Sequence, residues 1–163
     1  MDTNGVYCLC EEWDQPLMWA HYSDAHRGYC LEFTISDEDW ERFEVPLEMG
    51  YEPERPSLST SEFLRHGKLG LPPQGFFDRT LLTKSKEWLY EKEWRMLRSS
   101  SEGGCGPHPS PRHLLTGMAL GARMIPEDEQ RLRAWVRERR RPVAWYRARP
   151  EPNSYGLRIE PID

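Results

Sequence analysis

The first 62 residues contain no lysine. Three arginines stand there against fifteen aspartates and glutamates, a net charge of −12. Residues 63–163 carry nineteen basic and twelve acidic side chains, a net charge of +7. The overall charge of −5 hides this asymmetry. No run approaches the roughly 18 consecutive apolar residues of a membrane span, and the N-terminus lacks the basic-then-apolar order of a secretion signal. A soluble, cytoplasmic protein without a membrane partner is expected. Cys8, Cys10, Cys30 and Cys105 lack framework spacing, which favours free thiols over disulfides. Cys8 and Cys10 with His21 and His26 do not repeat the paired spacing of structural zinc, so buried strand cysteines are expected and no metal. A Gly-x-Ser-x-Gly elbow, a glycine-rich phosphate loop and an internal repeat are all absent.

What is present is aromatic. Seven Trp, seven Tyr and five Phe supply burial to a chain that is only 37% hydrophobic, and 163 residues suffice for one domain with a core. Fourteen prolines and twelve glycines imply short elements and many turns. Residues 5–10 read as a buried strand. Asp14 is a candidate cap for a helix from Gln15 to about His26, stopped by Gly28. In 29–35, Tyr29, Leu31, Phe33 and Ile35 share one strand face, and Cys30, Glu32 and Thr34 the other. Ser36 can cap a helix through Phe43. A strand over 44–52 contains Pro46, so an edge is expected.

A long connection follows over 53–74, with a helical turn around Glu62–His66. Phe76 to Lys86 reads as a helix, Glu93–Arg98 as a strand and 99–112 as a mobile loop. Leu115–Met124 gives another strand, and Pro126 opens a helix to about Arg140 whose apolar stripe is Leu132, Trp135 and Val136. Strands near 143–148 and 155–161 finish the chain. The class is α+β, with a mixed, mainly antiparallel sheet and short flanking helices, forming a single domain over 1–163.

Two blocks place ionisable groups among large aromatics, where an unpaired charge would be costly. In Tyr90–Arg95, strand alternation puts Glu91, Glu93 and Arg95 on one face. That face is either an ion-pair network, for example Arg95 with Glu32 or Glu93, or a charged site floor. In Met18–Phe33, His21, Tyr22 and Trp19 lie on the helix, His26 and Arg27 at its exit and Glu32 on the next strand. These six are candidate ligand-binding residues, although the helix dipole alone would account for His26 and Arg27. The arginines at 131, 133, 137, 139, 140 and 141 form either a solvated helix surface or a basic face for nucleic acid or an acidic protein.

The segments Cys8–Glu11, Pro16–Phe33, Leu82–Arg95 and Leu120–Met124 resemble the bacterial domain-of-unknown-function 2971 family. The blocks MWAHY, HRG and LEF recur there with LTKSKEWLYEKEWR. Members of that family carry a further N-terminal part with an aromatic-Lys-aromatic strand, and this chain begins where their middle would begin. The family's layout is distantly similar to the ADP-ribosyltransferase fold. That similarity implies an NAD-dependent transferase-like domain of a bacterial defence or toxin system. Glu93 or Glu91 would then be the catalytic carboxylate, with Arg95 orienting it and His21 and Tyr22 lining the pocket. The rival expectation is a non-catalytic module that binds an acidic partner or nucleic acid through Arg131, Arg137 and Arg140.

Overall fold

Alternating apolar and polar residues write strands into this chain, and proline and glycine keep them short. The computed structural model describes residues 4–42, 46–57, 59–67, 75–99 and 102–163. Phe43 and residues 44–45, where one helix was expected to end and a strand to begin, lie outside these. In chain order the elements are β1 (Gly5–Cys10), α1 (Pro16–Tyr22), β2 (Tyr29–Phe33), α2 (Asp37–Arg42), β3 (Leu47–Glu48) and β4 (Gly50–Glu52). Next come α3 (Thr60–Gly67), α4 (Phe76–Leu81), β5 (Thr83–Ser85), a 3-10 helix (Lys86–Glu91) and β6 (Glu93–Arg98). The last four are β7 (Leu115–Leu120), α5 (Pro126–Glu138), β8 (Ala144–Pro150) and β9 (Leu157–Ile162). The fold is α+β. Strand pairing is mainly antiparallel, with β4–β5 and β7–β8 parallel.

The chain forms two compact units, each discontinuous in sequence. The first comprises Met1–Glu11 and Glu44–Gly106. Its three-stranded sheet has the order β1-β6-β3, and β4 pairs with β5 in a separate ladder. β1 has the expected bounds but is not buried. It is an edge strand, with Val6, Tyr7 and Cys8 exposed. The expected strand over 44–52 divides at Met49, because Leu47–Glu48 pair with β6 while Gly50–Glu52 pair with β5. The Met49 N–H donates to the Glu93 carbonyl at the division. The helix expected to reach Lys86 stops at Leu81, since the parallel pairing with β4 draws Thr83–Ser85 into a strand. Ser85 then caps the 3-10 helix by accepting from the Glu87 N–H.

The second unit comprises Glu12–Phe43 and Pro107–Asp163 and is built on the sheet β2-β7-β8-β9. Each sheet face carries its own apolar cluster. Trp19 of α1 packs with Ala119, Ala148 and Leu157 on one side, and Leu132 and Val136 of α5 pack with Met118 and Leu120 on the other. Burial on both faces explains why Met118–Leu120 is an unbroken apolar run. Trp135 does not join the stripe expected of it. It stands beside the Leu132–Val136 line and is 64% exposed. In α2, Ser36 caps as expected: its Oγ accepts from the Asp39 N–H, and Asp39 accepts from the Ser36 N–H in return.

α1 is shorter than its sequence suggested. Asp14 does not cap it. Gln15 occupies the cap without a side-chain bond, and Pro16 opens the first turn. The helix ends at Tyr22 because Asp24, Ala25 and His26 turn into the left-handed region, with φ of 44°, 50° and 68°. Three such non-glycine residues in succession are held by backbone bonds. His26 donates to Trp19, Gly28 to Ser23, and Arg123 to the His26 carbonyl. Gly121 makes this packing feasible, because a Cβ there would collide with the His26 carbonyl oxygen. Gly121→Ala should therefore lower stability by about 1–3 kcal/mol, read from urea unfolding, and an unchanged midpoint would contradict this packing.

Candidate functional site

At the centre of the first unit lies charge rather than hydrocarbon. Five of its described residues are buried: Pro46, Met49, Gly104, Glu91 and Glu93. The two glutamates are 3% and 4% exposed. Glu91 closes the 3-10 helix, and Lys92 beyond it adopts a left-handed φ of 41°, turning the chain into β6. Both carboxylates therefore reach one lysine, Lys84 of β5. Lys84 Nζ donates to Glu91 and, at 2.9 Å, to Glu93 Oε2. Arg95 Nε donates to Glu93 Oε1 at 2.7 Å, and its Nη1 to the Leu81 carbonyl at 2.6 Å. Tyr51 completes the surround by accepting the Glu93 backbone N–H at 2.8 Å.

Two cations meet two carboxylates, so the cluster is balanced. Burial would push the Glu93 carboxyl up, but hydrogen bonds from Arg95, Cys8 and Lys84 outweigh it and hold the group at about 2. Burial would lower Lys84, and the two glutamates instead hold it above its ordinary value. Partial desolvation of its sulfur, on the side facing the cluster, and its bond to Glu93 push the Cys8 thiol up. Lys84 also sits 5.0 Å from the centre of the Trp88 ring, a cation–π contact. The sequence singled out Glu91, Glu93 and Arg95. It missed Lys84 and Tyr51, which arrive through the β4–β5 pairing.

The remaining sequence candidates belong to the second unit. Trp19 is a core residue, and its Nε1 donates to the Trp13 carbonyl. His21 and Tyr22 are exposed, with their rings edge to face at 6.2 Å. His26 is held by its left-handed backbone, and Arg27 makes a two-point bond to Asp24 at 2.9 and 3.0 Å. Glu32 lies across Gly117, where any Cβ would strike its carboxylate, and accepts from Thr116 at 3.2 Å. Glu32 and Arg95 thus each have partners within their own unit. Among the described residues, no group of three or more His, Cys, Asp or Glu is placed to hold a metal ion. None of the described helices is long and apolar enough to cross a membrane.

A second arrangement lies at the C-terminal end of α5. A pocket of about 310 Å³ is lined by Arg133, Arg137, Arg140 and Arg141. Its apolar lining is Val136, Pro142, Val143 and Trp145. Arg133 is fixed in place: its Nε donates to Glu129 at 2.9 Å, and its guanidinium stacks 4.6 Å from the Trp145 ring centre. Arg147 bonds the same Glu129, and the two arginines overcome the upward push of burial to lower that carboxyl. Arg137, Arg140 and Arg141 have no ion-pair partner among the described residues. Arg131 is set apart, pairing with Asp128 at 3.3 Å, and Arg139 turns to the Arg112 carbonyl. The arginine run was visible in the sequence, whereas the Pro142, Val143 and Trp145 lining was not.

The family model described as "Protein of unknown function (DUF2971)" matches residues 18–96, so that segment of the chain is similar to this family. The matched segment contains the left-handed turn and the whole Lys84–Glu91–Glu93–Arg95 cluster, and it stops before α5. Comparison with curated proteins gave no match, and neither did comparison with solved structures.

The buried cluster has a defined acid response. Glu93 titrates below its ordinary value of 4.5, so its contribution to stability is complete above about 4.5 and is lost as pH falls toward about 2. Asp39, held near 2 by Ser36 and His113, loses its contribution over a similar range. Glu93→Gln should therefore flatten only part of the acid-induced fall in melting temperature between pH 4.5 and 2. Lys84→Met should cost about 3–5 kcal/mol in urea unfolding, because it leaves two buried carboxylates with one cation. Neutral behaviour of both variants would contradict a balanced buried network.

Proposed function

We propose that this protein is a non-catalytic binding module that holds an anionic partner at the C-terminal end of α5. The reading rests on one observation: Arg137, Arg140 and Arg141, without ion-pair partners among the described residues, meet around a pocket of about 310 Å³. Cations at a helix C-terminus normally answer the helix dipole, but that dipole amounts to only about half a charge. Three unpaired guanidiniums exceed it. Arg140 adds a second argument, because it adopts φ 57° just beyond the helix, where glycine is the usual residue. A helix stop does not require arginine there, and the strain is of order 1 kcal/mol.

The transferase reading has weaker support. It requires a carboxylate oxygen of Glu93 turned toward NAD, and both Glu93 oxygens are already bonded, to Arg95 and to Lys84. Nothing in the geometry of His21 and Tyr22 adds to that reading. In the arginine pocket Glu129 engages only Arg133, and Arg137, Arg140 and Arg141 have no ion-pair partner among the described residues.

Arg140→Gly separates binding from stability. Its melting temperature should equal or exceed that of the parent, with weaker retention on a polyanion such as heparin or polyphosphate. The double charge reversal Arg137→Glu with Arg140→Glu should reduce polyanion binding by about tenfold or more and lessen its salt dependence. Retention unaffected by either change would overturn the proposal.

A further inference from the structure

We propose that the α5 pocket takes one unpaired nucleotide of a single-stranded nucleic acid, with the base against the apolar lining and the flanking phosphates on Arg137, Arg140 and Arg141. This rests on the anion-binding reading above and narrows its ligand. The lining is decisive. Val136, Pro142 and Val143 give the pocket an apolar floor beside its four arginines, and Trp145 contributes with Arg133 stacked on its ring. A free phosphate or a peptide carboxylate gains nothing from such a floor and would lose hydration against it. A nucleobase has apolar faces that the floor can cover and a polar edge that arginine can meet.

Size and shape point the same way. The pocket is a depression of about 310 Å³ open to solvent, a scale suited to one nucleotide unit. Duplex nucleic acid presents a ridge of phosphates and keeps its bases stacked inside, so it cannot fill a concave site without extruding a base. Single strands offer base and phosphate together, and arginine both pairs with phosphate and stacks on bases. Arg133 already stacks in this way on Trp145, held there by Glu129. RNA and DNA share this chemistry.

The test is fluorescence anisotropy of the full chain at low salt. The labelled probes are a short single-stranded RNA, the matching single-stranded DNA, their duplex, and an abasic strand of the same charge. Both single strands should bind at least about tenfold tighter than the duplex and the abasic strand, and Arg140→Glu with Arg141→Glu should abolish the difference. A preference of RNA over DNA would add contact with the 2′-hydroxyl. Equal binding of abasic and normal strands, still lost on charge reversal at Arg137 and Arg140, would overturn this inference while leaving the anion-binding reading intact. No binding of any strand or of polyphosphate would overturn both.

Discussion

Glu93 ties the first unit together. Its side chain bonds Arg95 of its own strand and Lys84 of β5, and its backbone bonds Tyr51 of β4 and Met49 beside it. Lys84 extends the network to Glu91. In a unit with so few buried apolar residues, these bonds join the three-stranded sheet to the β4–β5 ladder. Such a network stabilises only while it is complete, because desolvation makes each unpaired member costly. Both oxygens of Glu93 are committed, and the group stays ionised far below neutral pH.

The second unit solves the same problem with hydrocarbon. Its sheet carries one apolar cluster on each face, and α1 and α5 supply the covers. Charge is therefore free to gather at the periphery. At the end of α5 it does so with one sign, around a small cavity and on a left-handed arginine. One glutamate, Glu129, fixes Arg133 and Arg147, whereas Arg137, Arg140 and Arg141 have no ion-pair partner among the described residues. Arg140 at φ 57° is a residue choice that local backbone preference would not make.

Much of the secondary structure was legible in the residues. Alternation over Glu93–Met96 marked β6, whose observed bounds are those expected, and Pro126 marked the start of α5. The failures have physical causes. Thr83–Ser85 is a strand only because β4 lies beside it, a long-range pairing that no local pattern announces. Asp24–His26 reads as helix by composition, and tertiary clamps through Gly121 and Arg123 pull it left-handed. Glu91, Glu93 and Arg95 stood out because charge among aromatics demands partners. Their main partner, Lys84, was not identifiable from strand alternation. The arginines of α5 were visible too, but the apolar floor that makes a pocket of them depends on how β8 leaves the helix.

The glutamates embedded among aromatics hold the first unit together, and we propose that they do not perform a reaction. The most direct measurement follows nicotinamide release from NAD by the purified chain and by Glu93→Gln, with urea unfolding of both proteins alongside. The account predicts no release from either and a lower unfolding midpoint for Glu93→Gln. Release by the parent that disappears in a Glu93→Gln protein of equal stability would contradict it.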